Sequence, residues 1–209
     1  YLIFTTFFLF KISSYVNTND VSMICGGILM KKTLYFHPDQ ASALNDFSQQ
    51  LLRFIKKTKK DSQTLVLVCI GTDRATGDCL GPLVGHYLEQ QLSSRLPFIF
   101  GNLSHPVHAA NLTETLTNIQ DGIPSPYIIV IDACLGTPGH VGYVTLSNHA
   151  LHPGKGVNKS LPSFGQIAIT GIVDCFGEEN YSIIQSTRLH QVVHLATFIA
   201  NGIEKVFSI

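Results

Sequence analysis

The sequence predicts an α/β protein, one sheet covered by helices on both faces. Three observations carry this. Two uninterrupted runs, Thr64-Leu65-Val66-Leu67-Val68-Cys69-Ile70 and Tyr127-Ile128-Ile129-Val130-Ile131, read as strands buried on both faces, the habit of a parallel sheet. Around them apolar residues recur at helical spacing, so strands alternate with helices along the chain. Composition permits a large core. Of the 209 residues 45% are hydrophobic and 13 are Phe, which excludes a disordered chain.

Taken in order, the first element is a helix from Asp39 to about Lys57. Ala41, Leu44, Phe47, Leu51, Phe54 and Ile55 fall on one face, and a basic end (Lys56, Lys57, Lys59, Lys60) suits the macrodipole. The strand 64–70 follows and stops at Gly71. Leu83, Val84, Tyr87, Leu88 and Leu92 mark a second helix, and a short strand is expected around 97–100. Asn111-Leu112-Thr113-Glu114 resembles a capping box and opens a helix with Leu112, Leu116 and Ile119 inward. The strand 127–131 ends at Asp132. Further strands are expected at 141–146 and 166–173, separated by the Gly- and Pro-containing loop 147–165. A last helix over 186–207 would bury Leu189, Val192, Val193, Ala196, Ile199, Ala200 and Ile203.

Charge excludes several functions. Asp, Glu, Lys and Arg make up only 13% of the chain, and 14 basic residues balance 14 acidic ones. A nucleic-acid groove or an anionic membrane surface needs a basic excess, so neither partner is expected. Weak self-repulsion leaves room for a homo-oligomer formed through an apolar face. Five scattered cysteines without a C-x-x-C pair are neither a disulfide framework nor a structural zinc pattern, which fits a reduced, cytoplasmic chain. The apolar stretch 1–10 is too short to span a bilayer as a helix, and no basic residue precedes it as a signal peptide requires. Met30-Lys31-Lys32 reads as a bacterial start, and Gly26-Gly27 can be encoded by a ribosome-binding sequence just upstream. Residues 1–29 are therefore expected to be translated leader, with a membrane-associating segment as the alternative, and 30–209 a single domain.

Ligands of open α/β sheets sit outside the carboxyl ends of the strands. Two such ends carry acids: Gly71-Thr72-Asp73-Arg74-Ala75-Thr76-Gly77-Asp78-Cys79-Leu80-Gly81-Pro82 after the first strand, and Asp132-Ala133-Cys134 after the second. If these strands are neighbours, Asp78 and Asp132 face one crevice. A close carboxylate pair keeps one member protonated as acid and the other ionised as base; it can activate water or hold a metal. The plainer reading makes such residues helix caps or turn formers, which suffices for Asp73 and competes for Asp78. Asp132 follows five apolar residues, so its burial demands a partner.

Other patterns point less far. The loop lacks both G-x-x-x-x-G-K-[ST] and G-x-G-x-x-G, so no nucleotide is expected. His190-Gln191-Val192-Val193-His194 resembles H-E-x-x-H with Gln in place of the essential Glu, and reads as surface positions of an amphipathic helix. Cys79 and Cys134 lie beside the candidate carboxylates, where His108 would have to activate them as nucleophiles. Small apolar filling is the expectation.

GTDRATGDCLGPLVG, PVHAANL at 106–112, YIIVIDACLG at 127–136, SFGQIAITGIV at 163–173 and STRLHQVVHLATFIANGIE at 186–204 together resemble, in the same order, the YyaC-type sporulation proteins of endospore-forming bacteria. The resemblance spans about residues 64–205. That family is related to the germination (spore) protease and, more distantly, to the hydrogenase maturation proteases. It implies a three-layer α/β/α sandwich with a mixed, mainly parallel sheet of the phosphorylase/hydrolase type. Asp78 in Asp-Cys-Leu-Gly-Pro and Asp132 in Ile-Asp-Ala match the proposed catalytic pair of the germination protease. In the hydrogenase maturation proteases the same places carry metal-binding carboxylates, completed by a His in a Ser-Pro-His segment. Here that stretch is Leu161-Pro162-Ser163-Phe164, a departure that favours a metal-free pair. His149 or His152 would be the spatial substitutes.

The resemblance thus implies a spore-protease-like peptidase in the cytoplasm of a forespore or mother cell, with Asp78 and Asp132 catalytic and Asp73 and His108 auxiliary. Its substrate would be a protein or peptide, small acid-soluble spore proteins among the candidates. No resident cofactor is expected, a divalent metal at Asp78 and Asp132 being the alternative. The rival functions are an inactive sporulation factor that binds a partner peptide in the same cleft, and a metal-dependent maturation protease.

Overall fold

A computed structural model describes residues 31–92, 95–96, 98–150, 164–175 and 185–208. Within them the elements are β1 (Thr33–Phe36), α1 (Ala43–Thr58), β2 (Thr64–Cys69), α2 (Leu80–Leu92), β3 (Ile99–Phe100), α3 (Leu112–Gly122), β4 (Pro126–Gly136), β5 (Val144–Ser147), β6 (Ile167–Cys175) and α4 (Leu189–Phe207). Two single 3-10 turns, Gly77–Cys79 and Pro138–His140, lead into α2 and follow β4. The expected leader 1–29, His152 and Ser163 lie outside the described residues.

All six strands form one sheet in the order β1-β5-β6-β4-β2-β3. β2, β3, β4 and β6 are mutually parallel, and β5 runs against both of its neighbours. The sheet is therefore mixed and mainly parallel, as the family resemblance implies. Its centre is β4, the 11-residue strand between β2 and β6.

Helices cover both faces. On one side Phe47 and Leu51 of α1, Leu80 and Leu88 of α2, and Leu195 and Ile199 of α4 pack on Leu67, Ile129, Ile131 and Ile169. On the other, Leu112 and Ile119 of α3 pack on Val66, Val68, Val130 and Ala168. Alternation along β4 sends Ile129, Ile131, Ala133 and Leu135 to the three-helix face and Ile128, Val130 and Cys134 to the α3 face. Asp132 shares the parity of Val130 and Cys134, so its side chain belongs to the α3 face. α1 and α4 meet closely: Ser48 donates its hydroxyl to the carbonyls of Leu44 and Gly202 at 2.7 and 3.1 Å. Among the described residues no helix is long and apolar enough to cross a membrane.

Several expectations change: Ala41 is exposed and precedes α1, and Val193 is only half-buried. β4 does not stop at Asp132 but runs on to Gly136, so this acid lies inside a strand. β1 is an additional edge strand that the apolar pattern does not announce. Leu189 is 57% exposed rather than inward, because it opens α4 ahead of the packed face that begins at Val192.

Candidate active site

The residues after β2 are held between Asp132's strand and the segment that carries His108. Ile70 donates its N–H to the Ile131 carbonyl at 2.7 Å, and Gly71 donates to the Val107 carbonyl at 2.8 Å. Gly71 has φ +141°, and a Cβ there would fall 1.9 Å from the Asp78 carbonyl oxygen. Only glycine allows the chain to turn this tightly against its own return. The loop then closes through backbone bonds, Thr72 N–H to the Asp78 carbonyl at 3.2 Å and Asp78 N–H to the Ala75 carbonyl at 3.0 Å. Asp78 is thereby presented at the carboxyl edge of the sheet, at the entry to α2.

Both carboxyl groups are perturbed upward. Burial pushes the Asp78 carboxyl up to about 6, although a Thr72 backbone N–H favours its ionised form. Asp132 is only 1% exposed. Burial first, and the charge of Asp78 second, raise it well above the ordinary carboxylate range, against one stabilising backbone bond from Ala133. That bond, 2.8 Å, ends on Oδ1; Oδ2 is buried with no hydrogen-bond partner among the described residues. An unpaired carboxylate oxygen in such surroundings is expensive. A proton on Oδ2 removes the charge and turns the oxygen into a donor. The charge of Asp78 is felt at Asp132, though the two residues lie 54 positions apart in the chain.

The neighbouring side chains are small and polar. Asp132 stands beside Thr170 of β6 in the parallel register. The Thr170 hydroxyl bonds that of Thr145 at 2.7 Å and accepts the Cys134 thiol at 3.3 Å. Burial pushes the Cys134 thiol up to about 12 and the Cys79 thiol up to about 11, with the nearby carboxylates adding to both shifts. Among the described residues no histidine is hydrogen-bonded to either thiol, and burial disfavours the thiolate that a nucleophile would need. Cys134→Ala is expected to lower stability by about 1 kcal/mol and to leave the rate of any hydrolysis at the site unchanged. Denaturant unfolding and a rate measurement on the same preparation check this.

The remaining candidates spread along the rim or leave it. Asp73 is exposed on the loop, and its charge is felt at Cys79. His108 follows Val107 and gives its backbone N–H to Asn111; no hydrogen bond joins Asp73 or the His108 ring to either carboxyl group. His149 does not substitute as a metal ligand beside the pair. The reversed direction of β5 carries it to the amino-terminal edge of the sheet, where it contacts Thr33 of β1 at 3.4 Å. Phe164 packs into the α3-face core. His190 and His194 are exposed on α4, their rings stacked 6.3 Å apart, and His194 is 2.9 Å from Asp39. Among the described residues no three His, Cys, Asp or Glu side chains come together as metal ligands would. Asp78 and Asp132 alone offer a cation fewer protein ligands than the three usual at a catalytic metal. The contribution that sequence reasoning misses is the Thr72 N–H, a backbone group without any signature beyond its place directly after Gly71.

A mainly parallel sheet between helix layers defines an α/β/α protein. Among solved structures, the chain is similar to the [NiFe] hydrogenase maturation protease HycI from Thermococcus kodakarensis KOD1, with a TM-score of 0.50 and 14% identity over 77% of this chain and 99% of that one. At that identity the likeness speaks for the fold. The chain belongs to the family described as "Protein of unknown function (DUF1256)", which it matches over residues 35–202. It is also 43% identical, over 145 residues, to the "Uncharacterized protein YyaC" of Bacillus subtilis (strain 168), an alignment covering 69% of this chain and 70% of that one.

Proposed function

We propose that this protein is a spore-protease-like peptidase that hydrolyses peptide bonds with Asp78 and Asp132, acting on proteins or peptides in the cytoplasm of a forespore or mother cell. The observation that carries the reading is Asp132 Oδ2, a buried oxygen without a partner among the described residues, electrostatically coupled to a second carboxyl group. A cleft that only gripped a peptide would have no use for so costly an acid.

The roles follow from the two environments. Asp132, fully buried, carries its proton on Oδ2 because Oδ1 is occupied by the Ala133 N–H. Asp78, less buried and held by the Thr72 N–H, is the one that ionises first. Asp78 takes a proton from water as its oxygen attacks the scissile carbonyl carbon, while Asp132 gives its proton to the carbonyl oxygen. The tetrahedral intermediate collapses when Asp78 passes its proton to the amide nitrogen, the C–N bond breaks, and the carbonyl re-forms as Asp132 recovers its proton. Asp73 and His108 act from the rim as auxiliaries. No step runs through a metal.

The test is to incubate the purified protein with small acid-soluble spore proteins, with and without a chelator, and to identify fragments by mass spectrometry. Fragments that persist with chelator support the reading. Intact substrate bound across the pH range would make the protein a peptide-binding sporulation factor instead. Cleavage lost to chelator and restored by nickel or zinc would make it a metal-dependent protease.

A further inference from the structure

We propose that the spacing between Asp78 and Asp132 is set by two absent side chains, those of Gly81 and Gly171, which act as positioning residues for the carboxylate pair. The inference deepens the peptidase reading and rests on it only for its catalytic consequence.

Asp78 lies on the turn that runs directly into α2, so it moves wherever the first turn of that helix moves. The turn is seated on the sheet at two points. A Cβ on Gly81 would lie 2.0 Å from the Ile70 carbonyl oxygen and 2.8 Å from both the carbonyl carbon and the nitrogen of Ile70. Helix backbone therefore rests on the backbone just past β2, and Ile70 is itself bonded to Ile131, the residue before Asp132. At the second point the Leu80 side chain occupies the space above Gly171, where a Cβ would fall 2.3 Å from Leu80 Cδ1. Gly171 is the register partner of Ala133, the residue after Asp132. The two seats thus lie just past β2 and on β6, on either side of β4, and fix the Asp78 turn relative to Asp132.

Helix propensity gives the opposite preference at position 81, because alanine is favoured over glycine inside a helix by about 1 kcal/mol. Close approach is what demands glycine there. Non-bonded carbon contacts settle near 3.5 Å or beyond, so a methyl group at 81 lifts the turn by about 1 Å. A misplacement of that size costs a positioned catalytic group about 100-fold in rate. Gly85, one turn further along α2, supplies the control. Its Cβ would meet the Gly101 carbonyl oxygen at 1.9 Å, an equally hard collision, but against the loop after β3.

The experiment compares Gly81→Ala, Gly171→Ala and Gly85→Ala by thermal unfolding, by carbon NMR titration of the aspartate carboxyl groups, and by kcat and KM on any peptide the wild type cleaves. Gly81→Ala and Gly171→Ala should bring the Asp78 and Asp132 titrations closer together, because the coupling weakens with distance, and should lower kcat about 100-fold with KM nearly unchanged. Gly85→Ala should lose comparable stability to Gly81→Ala with wild-type titrations. Should Gly81→Ala fail to fold, Gly171→Ala decides, since its new methyl meets a side chain of the first turn of α2 rather than backbone. Unchanged titrations in the variants at 81 and 171, or an equal shift in Gly85→Ala, overturn the proposal. Shifted titrations in a protein that cleaves nothing would leave the positioning role intact and sink the peptidase reading alone.

Discussion

Asp78→Asn is expected to leave the sheet and its helices standing while lowering peptide cleavage by about two to four orders of magnitude, the usual contribution of a positioned general base. Asparagine matches the carboxylate in shape and still accepts the Thr72 N–H, but it cannot take a proton from water. Asp132→Asn should cost a comparable factor for a different reason. Its amide puts N–H donors where Oδ2 stands and can polarise the carbonyl, yet it has no proton to transfer. Because the two groups act as a unit, the double variant should fall no further than the more damaging single one. Measuring kcat/KM for all three against circular dichroism checks these outcomes. Wild-type turnover in either single variant removes that residue from the mechanism.

How much of this was legible in the sequence depends on which physical signal each element left. β2 and β4 announce themselves because both their faces are buried, and α1 and α4 because their apolar stripes keep a helical period. β1 leaves almost no trace: four residues, Thr33–Phe36, paired only with β5 and preceded by Lys31 and Lys32. The end of β4 misleads. A carboxylate after five apolar residues looks like an exit to solvent, because ionised groups avoid the interior. Asp132 instead stays inside the strand, where burial and its neighbour's charge favour the neutral form. A sequence pattern assigns each residue its ordinary charge, so it cannot foresee a strand that continues through an acid whose burial favours the neutral form. His149 shows a different limit. Its place in the sequence suggests proximity to the later strand, and only the reversal of β5 reveals that it lies on the amino-terminal edge. The placement of Asp78 and Asp132 toward one edge of the sheet was readable because both follow strand-forming runs, and β2 and β4 are parallel neighbours. The support beneath that pair is not readable in the same way. The Thr72 N–H is a backbone group, and the seats at Gly81 and Gly171 are visible only once the parts that occupy them are in place.

The same acids should also make the folded protein less stable than it could be near neutral pH. Asp78 has an ordinary value of 3.8 when exposed and is pushed up to about 6 in the fold. Between these limits the folded state holds a proton that the unfolded chain has released, so stability is fully present below 3.8 and is lost as the pH rises through about 6. The loss from this group is about 3 kcal/mol. Asp132 shifts in the same direction, and part of its shift comes from Asp78. Asp78→Asn should therefore match the wild type near pH 3.8, then grow progressively more stable than it by about 3 kcal/mol as the pH passes 6. Relief at Asp132 adds to that gain. Urea unfolding of both proteins at intervals across this range, with equal m-values as the condition for comparison, isolates the difference from every other titrating group. A variant that loses cleavage and gains stability only above the acidic range would mark Asp78 as an acid kept for its chemistry against the interest of the fold. A difference that stays flat with pH would mean that Asp78 titrates as an exposed carboxylate. The burial on which its coupling to Asp132 depends would then be absent in solution.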